Sequence, residues 1–123
     1  MRAKDAIGHY GERVAEQHLT DAGLTILARN WRCPDGELDI VAAEGDVVVF
    51  CEVKTRSSSE FGDPAEAVGA AKADRLRSLA LRWLSEQRGL SETRRWPQLR
   101  FDVVSVLRRP SGAAHVTHLR GAL

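Results

Sequence analysis

The chain has 123 residues, 43% of them hydrophobic and 28% charged, with 18 Lys and Arg against 17 Asp and Glu. A chain of that length buries roughly two thirds of the surface its unfolded form exposes, so a single domain over 1–123 with a real core is expected without disulfides or a structural metal. Ordinary apolar content excludes a disordered tail, and no apolar run approaches the ~18 residues of a membrane span, the longest being Val47–Cys51. No apolar stretch follows the first residues, so the cytoplasm is the expected compartment. Cys33 and Cys51 form no CxxC pair and signal neither a zinc site nor a disulfide framework.

From Asp5 to Ala22, the positions Ile7, Val14, Ala15, Leu19 and Ala22 recur at helical spacing and Gly23 marks a stop. Gly8 and Gly11 inside that helix each cost up to about 1 kcal/mol, which points to close backbone packing or an irregular start. Leu24 to Trp31 reads as a strand, Cys33-Pro34-Asp35-Gly36 as a turn, and Glu37 to Ala43 as a strand with a period of two. After Glu44-Gly45-Asp46, the β-branched run Val47 to Thr55 reads as a central strand. Asp63-Pro64-Ala65-Glu66 has the signature of a helix start. Val68, Leu76, Leu79 and Trp83 carry that helix past Gly69 to about Gln87, with Gly89 as its stop. Phe101 to Leu107 is a further strand, Pro110-Ser111-Gly112 a turn, and His115 to Leu119 a weak last strand. The expected fold is therefore α/β with the order α, β, β, β, α, β and one added strand.

The net charge of +1 conceals a division: residues 1–70 hold seven Lys and Arg against thirteen acids, and residues 71–123 hold eleven against four. An acidic site beside a basic surface suits a metal-using enzyme acting on a polyanion, whereas mutual neutralisation of the two halves is the plainer alternative.

Asp39, Glu52 and Lys54 form the pattern Asp-x12-Glu-x-Lys. Glu52 and Lys54 share a face of the strand Val47 to Thr55, where an unpaired carboxylate is costly to bury. In an antiparallel hairpin, paired residue numbers must add to an odd sum for Asp39 to join them. A four-residue loop pairs Asp39 directly with Glu52, and a two-residue loop sets them diagonally. Two carboxylates that close raise each other's pKa unless a cation lies between them, and Mg²⁺ takes one or two carboxylates with water and phosphate oxygens. A salt bridge of Lys54 with Glu52 or Asp39 is the purely structural alternative.

These residues carry a resemblance. Gly8-His9-Tyr10-Gly11-Glu12, Asn30-Trp31-Arg32, Gly36-Glu37-Leu38-Asp39-Ile40-Val41 and Phe50-Cys51-Glu52-Val53-Lys54-Thr55-Arg56 resemble the YraN-like family of small bacterial proteins. That family is an uncharacterised branch of the restriction-endonuclease-like, PD-(D/E)xK nuclease superfamily, related to archaeal Holliday-junction resolvases. The likeness spans about Gly8 to Leu107 and implies an α-β-β-β-α-β core with a mixed sheet flanked by helices. It also implies Asp39 and Glu52 as metal ligands with the Val53 carbonyl as a third, Lys54 as the catalytic lysine and Glu12 as the first-helix acid. Cys51 departs from the usual Val before the motif Glu but points to the opposite face.

Lys72, Arg75 and Arg82 fall on one helical face, a track suited to phosphates or simply a solvated face. Thr55 and Arg56, just past the lysine, are placed to hold a phosphate, Arg bidentately. Trp31 could stack on an unpaired base, although core packing is its more ordinary role, as for Trp83, and Trp96 is expected to be exposed. The four His lack the spacing of a metal site.

The leading expectation is a Mg²⁺-dependent endonuclease (Mn²⁺ as substitute) acting on DNA in preference to RNA, with branched or damaged DNA among its substrates, and an RNA nuclease using the same residues is a further alternative. Its reaction would be in-line attack of water on phosphorus. A four-way junction has paired scission points, so that substrate calls for a homodimer. The competing class is a nucleic-acid-binding or interaction module that keeps the fold without turnover.

Overall fold

The computed structural model describes residues 3–57, 70–90 and 98–122. Helix α1 (Ala3–Asp21) is followed by β1 (Thr25–Cys33), β2 (Gly36–Glu44), β3 (Val47–Arg56), α2 (Ala70–Leu90), β4 (Gln98–Leu107) and β5 (His115–Leu119). The five strands form one mixed sheet in the order β1-β2-β3-β4-β5, antiparallel except for the parallel β3–β4 pair. A parallel pair needs a crossover, and α2 lies within it. This is the α-β-β-β-α-β order of a restriction-endonuclease-like core, extended by β5.

Local chemistry sets the element ends. At the end of α1 the Leu24 N–H donates to the Leu19 carbonyl at 3.0 Å and the Gly23 N–H to Thr20 at 3.0 Å, with Gly23 at φ 97°. This is the Schellman pattern, and its hydrophobic contact is supplied by the buried Leu19 and Leu24. Between β2 and β3 the turn is only Gly45-Asp46, with Glu44 paired to Val47 and Gly45 at φ 59° in the first central position. Gly89, read as a stop, is followed by one more helical residue, because a glycine costs a helix about 1 kcal/mol without ending it. The expected helix start at Asp63, Gly69 and Trp96 lie outside the described residues.

The two faces of the sheet bury separate clusters. Ala15 and Leu19 of α1 pack on Ile40, Ala42, Val49, Cys51, Val104 and Val106. Leu76, Leu79, Ala80 and Trp83 of α2 pack on Leu38, Val41, Val48 and Phe50, with the Trp83 and Phe50 rings edge to face at 5.9 Å. Gly11 faces the sheet where nothing larger fits: a Cβ there would overlap Thr55 Oγ1. Of the two glycines in α1, Gly11 answers to close packing, whereas a Cβ at Gly8 would meet nothing within 4 Å.

Candidate functional site

Asp39 sits where β2 changes face. Leu38 and Val41 both pack on the α2 side, while Ile40 and Ala42 pack on the α1 side, so the period of two breaks at this point. Across the sheet, β1 pairs Arg29 with Ile40 and Trp31 with Leu38, leaving Asn30 opposite Asp39 with φ 48°. Asn is among the few residues that tolerate that conformation. The β2–β3 pairing has paired numbers adding to 91, so its next step would set Asp39 directly opposite Glu52. The two-residue Gly45-Asp46 turn therefore does not give the diagonal placement expected of a short loop, because it is centred between residues 45 and 46, where a four-residue loop over 44–47 would also be centred. The regular ladder stops at Ile40 and Cys51, and beyond it the Val53 N–H donates to Asp39 Oδ2 at 2.9 Å. A side chain thus takes over where the backbone ladder ends.

Glu52, 8% exposed, lies on the α2 face of β3. Its Oε1 accepts from two ammonium groups: Lys54 Nζ at 3.4 Å and Lys72 Nζ of α2 at 2.5 Å. The salt bridge between Lys54 and Glu52 is thus formed, with Lys72 as a second partner. Glu12 of α1 lines a groove with Ile7, Asp39, Glu52, Val53 and Thr55. A second groove, on the α2 side, is lined by Glu37, Asp39, Glu52, Lys72 and Arg75. Asp39 and Glu52 are common to both.

Burial pushes the Asp39 carboxyl up to about 7, with the Glu52 charge next in size and Glu12 and Glu37 adding to it, against the Val53 hydrogen bond. The Lys54 ammonium is pushed down, first by burial and then by Lys72, against the pull of Glu52. Burial also works against the Lys72 charge, but its bonds with Glu52 and Lys54 outweigh it and the pKa rises. The site is short of positive charge at Asp39 and holds a surplus at Glu52.

Among the described residues no three His, Cys, Asp or Glu side chains come together as a set for one ion. An ion here would rest on the Asp39 and Glu52 carboxylates, the Val53 carbonyl and water. That all-oxygen, water-rich set fits Mg²⁺, which needs few protein ligands, and not zinc, which takes four N or S donors in structural sites.

The structure gathers Glu12, Asp39, Glu52, Val53, Lys54, Thr55, Lys72 and Arg75 about the two grooves and leaves Arg56, Arg82 and Trp31 apart. Thr55 is turned toward α1, beneath Gly11, whereas Arg56 Nη2 donates to Ser105 Oγ at 3.5 Å. Arg82 pairs with Asp35 at 2.9 Å. Trp31 packs beside the α2 cluster and its Nε1–H donates to Glu86 at 3.2 Å. Sequence reasoning missed the Lys72 contact with Glu52, since nothing in the spacing links α2 to β3. It also missed Asp102, 0% exposed, which accepts from Arg100 Nε at 2.9 Å, Arg100 Nη2 at 3.0 Å and Gly121 N at 2.9 Å, with His118 Nε2 at 2.7 Å. The signal was present: an acid inside the apolar run Phe101–Leu107 needs partners.

Residues 11–106 match the profile of the uncharacterised protein family UPF0102. A UPF0102 protein of Beutenbergia cavernae is 59% identical over 121 residues, covering 98% of both chains. One of Frankia alni is 55% identical over 122 residues, covering 99% of this chain and 98% of its own. A third, of Kineococcus radiotolerans, is 50% identical over 121 residues, covering 98% and 96%.

Proposed function

The chain belongs to the uncharacterised protein family UPF0102, and from that membership and the geometry of its site we propose that it is a metal-dependent endonuclease hydrolysing phosphodiester bonds of DNA, branched or damaged DNA included. The observation that carries this reading is the meeting of Asp39 and Glu52 at the end of the β2–β3 ladder, with Asp39 held by the Val53 N–H and Lys54 on Glu52. Burying two carboxylates together is expensive for a fold that makes no use of them.

Asp39, Glu52 and the Val53 carbonyl would hold Mg²⁺ or Mn²⁺. Bound there, the ion supplies Lewis acidity at the phosphate and lowers the pKa of the attacking water. Lys54, whose pKa is lowered but whose ammonium bonds Glu52, offsets charge developing on the phosphate oxygens. Glu12 faces the groove from α1 as a further acceptor for water. Arg75 lines the α2-side groove as a phosphate contact.

The test is Mg²⁺-dependent cleavage by purified protein of duplex, single-stranded, forked and four-way DNA and of RNA, with Glu52→Gln as control. Cutting by the wild type alone supports the reading. One observation favours a second reading, a nucleic-acid-binding module without turnover: Glu52 already has two ammonium partners and has no structural need of an ion. Equal DNA binding by wild type and Lys54→Ala, with no cutting of any substrate in Mg²⁺ or Mn²⁺, would decide for the module.

A further inference from the structure

We infer that Lys72 is the resident counter-ion of Glu52 and competes with a divalent cation for it, so that an ion enters the site only as the Lys72 ammonium leaves. The inference rests on the metal-binding reading of Asp39 and Glu52 and adds how that site is regulated.

One carboxylate oxygen, Glu52 Oε1, serves both Lys54 and Lys72. The two ammonium groups repel each other across it. They are not equally free to go. Lys54 is two residues from Glu52 on the same strand and its side chain is 27% exposed, so its position is set by β3. Lys72 belongs to the first turn of the described part of α2 and its side chain is 38% exposed, so it can rotate into solvent with its backbone unmoved. A dication placed against the same carboxylate would gather four positive charges on it and its neighbour Asp39. The arrangement relaxes by losing its most mobile cation, which is Lys72. Arg75 lines the same groove without an ion pair to Glu52, so it contributes to the field there but does not occupy the carboxylate.

Mn²⁺ affinity, read from the electron paramagnetic resonance of the free ion, tests this in the full chain without DNA. Lys72→Met keeps the aliphatic stem and removes the ammonium. It should bind Mn²⁺ about fivefold more tightly than wild type, a ratio at the upper end of what a partly exposed ion pair supplies. Arg75→Met should change affinity by less than about twofold, since it only weakens the general field. Lys72→Gln provides a second variant should the first unfold, as judged by circular dichroism. Equal or weaker binding by both Lys72 variants overturns the inference, as does an equal gain in Arg75→Met, which would mean a diffuse charge effect. Glu52→Gln separates this from the underlying reading. If wild type binds Mn²⁺ no better than Glu52→Gln, the metal site itself fails and the competition with it. If only Glu52→Gln loses binding while Lys72→Met matches wild type, the site stands and the competition alone falls.

Discussion

Asp39 is the residue whose protonation most directly reports the site. Its folded pKa of about 7 lies far above the ~3.9 of an unfolded aspartate. Between those values the folded chain holds a proton that the unfolded chain releases, so the group makes stability fall as pH rises from about 4 to 7. Asp39→Asn keeps an acceptor for the Val53 N–H and removes the charge. It should be more stable than wild type by about 2 kcal/mol at pH 8, the shift being discounted for solvent screening. Urea denaturation at pH 8 and pH 3.5 checks this, and a difference that is the same at both would contradict it. Lys54 is a residue of a different kind. Lys54→Ala should leave most DNA binding intact, because one phosphate contact is a small share of the total, and should depress the chemical step in single-turnover cleavage.

Between elements, α1 comes close to β3 at Gly11 and Thr55. Gly11→Ala gains helix propensity of about 1 kcal/mol but sets a Cβ against Thr55 Oγ1 and 2.8 Å from its Cβ. The helix must shift, and overpacking of this kind costs about 1–3 kcal/mol, so net destabilisation is expected. Because Glu12 follows Gly11 directly, the same shift should move an acid of the groove. Thr55→Gly removes the obstructing atoms, and in that background Gly11→Ala should cost less or become neutral. A double-mutant cycle in urea measures the coupling, and additive effects would show that the two elements are not in contact as described.

For the whole molecule, the opposed charges of the two halves are partly spent on each other. Lys72 pairs with Glu52, Arg82 with Asp35, and Arg100 and Arg120 with Glu44, each pair joining a basic residue of 71–123 to an acid of 1–70. The neutralisation that composition offered as the plainer alternative is thus realised at those pairs. Arg75→Ala should weaken DNA binding with little regard to sequence and make its logarithmic salt slope shallower by about 0.9. Fluorescence anisotropy across a salt series reads that slope, and an unchanged value would remove Arg75 from the interface. Ion binding should also be visible in global stability. Saturation at 100 times Kd adds roughly 2.7 kcal/mol to a protein that binds only when folded. Replacing Asp39 and Glu52 together with Ala should abolish the increment and raise metal-free stability by removing their mutual repulsion. An equal thermal shift in the double variant would place the ion elsewhere.

The order of elements follows from the sequence alone, because each boundary is a local matter. Gly23 closes α1, Gly45 turns the β2–β3 hairpin, and the β-branched run of Val47 to Thr55 has one stable use as a buried strand. The candidacy of Asp39, Glu52 and Lys54 was legible for the same reason, since a carboxylate and an ammonium on one face of an apolar strand need an account wherever the strand lies. What only the tertiary structure decided were relations between segments far apart in the chain. The break in alternation at Asp39 depends on Asn30 across the sheet, the register on where a two-residue turn is centred, and the burial of Asp102 on donors from β4, β5 and the residues after them. Lys72 reads from sequence as part of a solvated or phosphate-facing stripe. It becomes a partner of Glu52 only when the crossover lays α2 on the sheet, because Coulomb attraction acts over a few ångströms in space and leaves no mark on sequence spacing.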